Sequence, residues 1–170
     1  MATLVADASA LVSLGVVADG DADPLARCTA RYEVLVPEAV IAELRDVAAH
    51  DDVHGRAAAA VLERTDAVET RPADLDPAFP LDEGENAAVS LANEAGAAIV
   101  LCDEFRHLGL VHASLADSRL VTTPTLLSVL VRDGDLSAGE ARALLDEIAA
   151  ARSWAGNSYV ERAMSMLEDG

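Results

Sequence analysis

The chain has 170 residues, 52% of them hydrophobic, enough to bury one packed core, and no linker or low-complexity tract divides it, so a single domain over 1–170 is expected. Its 30 acidic residues stand against 12 basic ones, all arginine, for a formal charge of -18; in so small a domain that balance self-repels in dilute buffer and points to a halophilic source, where molar salt screens charges within about 3 Å. No apolar run approaches the roughly 20 residues that a membrane span needs, and the N-terminus lacks the basic start and cleavage site of a secretory signal, so a cytoplasmic protein with no membrane partner is expected.

Taken along the chain, the first strand is predicted at 3–7, an apolar run ending on Asp7, with a helix over 9–18 that Ser9 can cap. A second strand at 33–36 leads to a helix over 37–48, started by Pro37, which needs no backbone donor at a first helical position; this helix holds Glu43. A helix over 51–65 and a strand at 67–70 follow. The acidic turn Leu81-Asp82-Glu83-Gly84-Glu85 then opens a helix over 83–95, whose stripe is Ala87, Ala88, Leu91, Ala92 and Ala95. A buried-type strand at 97–102 ends at Asp103, and a helix at 104–114, a strand at 118–122 and a helix at 124–132 complete a core of about 1–132.

The remainder, about 133–170, reads as a helical extension. The capping box Ser137-Ala138-Gly139-Glu140 opens a helix with Ala141, Leu144, Leu145 and Ile148 on one face. The next helix carries Tyr159, Val160, Ala163, Met164 and Leu167, a stripe suited to core or to subunit contact. Cys28 and Cys102 are far apart in the chain and are read as buried free thiols.

Alternation of strands and helices argues for an α/β fold with a parallel sheet covered on both faces. In such sheets ligands collect beyond the carboxyl ends of the strands, where strand order reverses. With the first strand central and the fourth beside it, Asp7 and Asp103 emerge together, and Glu43 and Glu85 can lean in from helices that start at the same edge. Hard oxygen ligands without imidazole or thiolate suit Mg²⁺ or Mn²⁺. Each acid also has a structural alternative: a solvated helix face for Glu43, and a helix-dipole role for Glu85.

The segments Val5-Ala6-Asp7-Ala8-Ser9-Ala10-Leu11, Ala42-Glu43-Leu44, Gly84-Glu85-Asn86-Ala87-Ala88 and Val100-Leu101-Cys102-Asp103-Glu104 resemble, in order, spacing and strand context, the acidic motifs of PIN-domain ribonucleases. Leu120-Val121-Thr122-Thr123-Pro124-Thr125 and the helices after it resemble the C-terminal part of prokaryotic PIN proteins. The resemblance implies a three-layer α/β/α fold, a central parallel five-stranded sheet in the order 3-2-1-4-5, and extra C-terminal helices. It implies Mg²⁺- or Mn²⁺-dependent cleavage of RNA, with Asp7, Glu43, Glu85 and Asp103 as the catalytic, metal-holding quartet and Ser9 as the small polar residue beside the first aspartate. Glu104, next to Asp103, is a further cofactor-binding candidate, as are Asp82 and Glu83 beside Glu85. A homodimer and an antitoxin partner are also implied, the latter if the protein is the toxin of a toxin–antitoxin pair.

Arg45 and Arg106, close in sequence to Glu43 and Asp103, are candidates for substrate phosphate contact, with a surface ion pair as the alternative. His50 and His54 stand four apart but lack the His-Glu-x-x-His arrangement of zinc peptidases, and His107 and His112 are expected at surface or boundary positions. Two rival functions remain: a phosphatase-type α/β hydrolase, which could also use an aspartate after the first strand but is disfavoured because Ser9 stands where the second aspartate of an Asp-x-Asp pair belongs, and a catalytically silent PIN-like binding or regulatory module.

Overall fold

The computed structural model describes residues 1–169. Five strands, β1 (Thr3–Ala6), β2 (Glu33–Pro37), β3 (Glu69–Arg71), β4 (Ile99–Leu101) and β5 (Arg119–Val121), form one sheet in the order β3-β2-β1-β4-β5. Every neighbouring pair is parallel; Val5 stands opposite Leu35 on one side and Val100 on the other. β1 is therefore central, and the order reverses between β1 and β4. The chain is α/β with helices on both faces, as the resemblance implies.

Period-two alternation distributes the strand side chains between two unequal cores. Leu4, Ala6, Val34, Val36 and Leu101 face the larger one, under α1 (Ala8–Gly15), α3 (Glu38–Ala48), α4 (Val53–Leu62), α7 (Thr123–Arg132) and α8 (Ala138–Ala151). Val5, Leu35, Val100 and Cys102 face the smaller one, closed by Ala88, Leu91 and Ala92 of α5 (Glu83–Ala95) and Leu108 of α6 (Leu108–Ser114).

Several local expectations need correction. Helical periodicity misses α2 (Pro24–Arg31), an eight-residue helix that buries only Pro24, Leu25 and Cys28; its signal is the cap, since Asp23 accepts from the Leu25 and Ala26 amides at 3.0 and 3.1 Å and Pro24 takes the first position. Pro37 ends β2 and caps α3 instead of starting it. The helix expected at 104–114 begins only at Leu108, leaving Glu104–His107 as an irregular turn. Ser9 is not the cap of α1: that position is Asp7, and the Ser9 hydroxyl lies inside the first turn with other partners.

The C-terminal helices complete the larger core. In α9 (Ser158–Glu168) Ala163 and Leu167 are buried while Val160 and Met164 pack against the same cluster, so the stripe proposed for subunit contact is mostly consumed within the chain. Tyr159 is partly exposed but stacks on Phe105, ring centroids 5.2 Å apart; Phe105 in turn meets Trp154 edge-on at 5.0 Å. This aromatic contact ties the segment between α8 and α9 to the turn after β4, and so to the carboxyl edge of the sheet.

Candidate functional site

The site lies beyond the carboxyl ends of β1 and β4. Asp7 continues the β1 ladder, its amide donating to the Leu101 carbonyl at 2.9 Å, and then starts α1. Its Oδ2 accepts from the Ser9 hydroxyl at 2.9 Å and from the Cys102 thiol at 3.5 Å. The same Ser9 hydroxyl accepts from the Asp103 amide at 2.9 Å, so one serine locks the ends of the two central strands together. That bridge explains why a serine is needed there without any capping role.

An open pocket at this edge is lined by Asp7, Ser9, Glu43, His54, Asp82, Glu85, Glu104 and Arg152, among others. Three members of the expected quartet, Asp7, Glu43 and Glu85, thus converge, and Asp82 and Glu104 join them. Glu43 comes from the middle of α3, and Asp82 and Glu85 come from the start of α5, where Asp82 also caps the helix by accepting from the Glu85 amide at 2.8 Å. Gly84 is what lets the two helices bring their acids together. A Cβ at Gly84 would collide with Glu43 Oε2 and would lie 3.8 Å from Asp7 Oδ1.

Asp103 is placed differently. It is 4% exposed, yet it does not line the pocket; its Oδ1 accepts from the Thr123 amide at 2.7 Å and its Oδ2 from the Thr123 hydroxyl at 2.6 Å. Those bonds aim the carboxylate at the start of α7, where the helix N-terminus favours negative charge. Glu104, one residue on, takes the place at the pocket.

The electrostatics follow from crowding like charges in a partly dry site. Burial raises the pKa of Asp7, opposed by the Ser9 hydrogen bond, and raises that of Asp103, opposed by Thr123. Glu43, although its surface is open to solvent, is pushed up to about 7, first by the loss of water around its carboxyl and then by Asp7, Asp82, Glu85 and Glu104. Glu85 is 4% exposed and also raised by burial; its Oε1 lies 2.8 Å from His107 Nδ1, while its Oε2 is buried with no hydrogen-bond partner. A buried carboxylate oxygen left unpaired costs several kcal/mol, roughly, unless a cation or proton meets it.

Sequence reasoning missed three residues. His107, expected at an ordinary boundary position, pairs with Glu85, and ligand atoms of Asp82, Glu85 and His107 lie within 4.8 Å of one another, close enough to share a metal ion. The signal was its distance of four from Asp103, readable only if 104–107 had been taken as a turn. His54 enters the pocket because α4 packs over α1, and its Nε2 contacts the Ala151 carbonyl at 3.2 Å. Arg152 arrives from beyond α8, a position no motif marks. Arg45 and Arg106 are exposed and line none of this pocket.

The family model described as PIN domain matches residues 3–169. The chain belongs to the PIN-domain family, and with it has a nuclease-type fold whose acidic cluster occupies the expected edge of the sheet. No curated protein and no solved structure matches the chain. Among the described residues, no helix is long and apolar enough to cross a membrane.

Proposed function

We propose that the protein is a Mg²⁺- or Mn²⁺-dependent ribonuclease, hydrolysing RNA phosphodiester bonds at the pocket bounded by Asp7, Glu43, Glu85 and Glu104. The observation that carries this is the unpaired, buried Oε2 of Glu85 at a pocket that also gathers the carboxylates of Asp7, Glu43, Asp82 and Glu104, a donor set that a hard divalent cation completes. Asp7, Glu43, Glu85 and Glu104 would hold the cation, with Asp82 and His107 at its α5 side. When bound, such an ion lowers the pKa of a coordinated water and offsets charge on the phosphate.

The chain's own residues have definite tasks in this reading. Asp7 is oriented by Ser9 and Cys102, so its second oxygen faces the pocket in a fixed direction. His107 holds Glu85 in one rotamer. Asp103 is a positioning residue: by clasping Thr123 it anchors the β4 end and α7, and so sets where Glu104 stands. Of the quartet, Asp103 alone has both oxygens accepting short hydrogen bonds from Thr123, which directs it away from the cation.

The resemblance leaves two biological settings for this activity, the toxin of a toxin–antitoxin pair and an RNA-processing enzyme. The test of the activity is incubation of the purified chain with labelled single-stranded RNA in molar KCl. Cleavage should require Mg²⁺ or Mn²⁺, cease with EDTA and fail in Asp7→Asn. Cleavage by Asp7→Asn at the wild-type rate would remove the assignment.

A further inference from the structure

Arg152 is the one arginine lining the acidic pocket among the described residues. It follows α8, and its Nη2 donates to the Ser9 carbonyl at 3.3 Å. Its Nε is buried and has no partner, and it forms no ion pair with any described carboxylate. In a chain with 30 acidic residues, a largely desolvated guanidinium without a carboxylate partner is an unusual expenditure of solvation. Burial pulls its pKa below the ordinary arginine value, and Asp103 and Glu104 draw it back up; the group stays cationic throughout the working range.

Its surroundings fix it in place. The Ala151 carbonyl meets His54 Nε2 at 3.2 Å, which ties the residue before Arg152 to α4. On the other side the guanidinium carbon lies 6.0 Å from the centre of the Trp154 ring, itself buried against Phe105. A guanidinium held this way, lining the pocket beside the acids with its Nη1 spent on no described group, offers a charged donor to an unesterified oxygen of a phosphodiester.

We propose that Arg152 binds a backbone phosphate of the RNA substrate, supplying from the C-terminal extension the positive charge that the acidic pocket needs before an anion can enter. The inference rests on the ribonuclease reading and adds to it the residue that contacts substrate. It places one arginine inside the pocket, where Arg45 and Arg106 are not, and gives the extension beyond residue 132 a function in the site.

Trp154 is the single tryptophan, so its emission reports from beside Arg152. Wild type, Arg152→Gln and Arg152→Lys would be titrated with a 2′-O-methyl phosphorothioate oligonucleotide in molar KCl with Ca²⁺, and assayed for RNA cleavage with Mg²⁺. We expect a saturable Trp154 change in wild type, about ten- to a hundredfold weaker binding in Arg152→Gln, and only partial recovery in Arg152→Lys, which keeps the charge and loses the fork. KM should rise in both variants. Should Arg152→Gln fail to fold by circular dichroism, Arg152→Lys decides alone, with binding expected about fivefold or more below wild type. Cleaving wild type with equal oligonucleotide affinity in Arg152→Lys and, where folded, Arg152→Gln would overturn the role of Arg152 and leave the nuclease standing. A wild type that neither binds nor cleaves RNA would overturn both.

Discussion

Replacing Glu43 by glutamine should make the metal-free protein more stable at neutral pH while removing much of its affinity for metal. The sign comes from linkage. Glu43 has a folded-state pKa of about 7 against an ordinary 4.5, so between those values the folded state holds a proton that the unfolded state has released. Stability of the metal-free chain must then fall as pH rises from about 4.5 through about 7. Asp7, Glu85 and Asp103, all raised, act in the same direction, and so does His107, whose raised pKa stabilises the fold at low pH and is lost as pH rises through its folded value. Asp133 and Glu140 have lowered pKa values and act oppositely, but only below the ordinary carboxylate range.

For Glu43 the rise corresponds to at most roughly 3 kcal/mol by linkage. The residue as a whole is exposed, and solvent screening leaves about 1 kcal/mol. Urea melts at pH 5, 6, 7 and 8 in constant KCl with EDTA would show a wild-type stability loss across this window and a shallower one in Glu43→Gln, by about that amount. Mg²⁺ at a hundred times its Kd should restore about 2.7 kcal/mol to the wild type and much less to the variant. Parallel pH profiles for the two proteins would refute the crowding on which the site assignment rests.

Asp7→Asn should abolish metal-dependent cleavage and slightly stabilise the metal-free fold, because the amide oxygen still accepts from Ser9 while a buried charge disappears; cleavage assays paired with thermal melts check both. Asp103→Ala should instead lower stability by roughly 1–3 kcal/mol, since it leaves the buried Thr123 amide and hydroxyl without their acceptor, and a denaturant melt of the variant at wild-type stability would contradict the clasp. Gly84→Ala should leave stability near or above wild type, as alanine suits a helix by about 0.5–1 kcal/mol, but it should weaken Mn²⁺ binding several-fold by displacing Glu43; calorimetric titration giving an unchanged Kd would place Glu43 elsewhere. The -18 charge predicts a melting temperature that climbs from low to molar KCl, and a flat or falling curve by circular dichroism would remove the halophile reading.

The five strands, the parallel sheet and the edge that gathers the acids were legible in the chain, although α2 was not, because apolar runs ending in Asp7 and Asp103 and stripes of 3.6-residue period are local patterns that packing merely completes. Glu43 and Glu85 could be named for the same reason: each sits on a well-marked helix whose start lies at that edge. What local pattern does not encode is the direction of a side chain at a strand end. Asp103 and Glu104 are adjacent acids, and only the approach of Thr123 from α7 turns one inward to a helix start and leaves the other at the pocket. His54, His107 and Arg152 were likewise invisible as site residues, because they reach the pocket from α4, from an irregular turn and from beyond α8, and those segments meet Asp7 only when the layers close. Short-range periodicity determines which face of each element is buried, but the contacts that bring the acids and Arg152 to one pocket join residues as far apart as Ser9 and Arg152, and their geometry exists only in the packed chain.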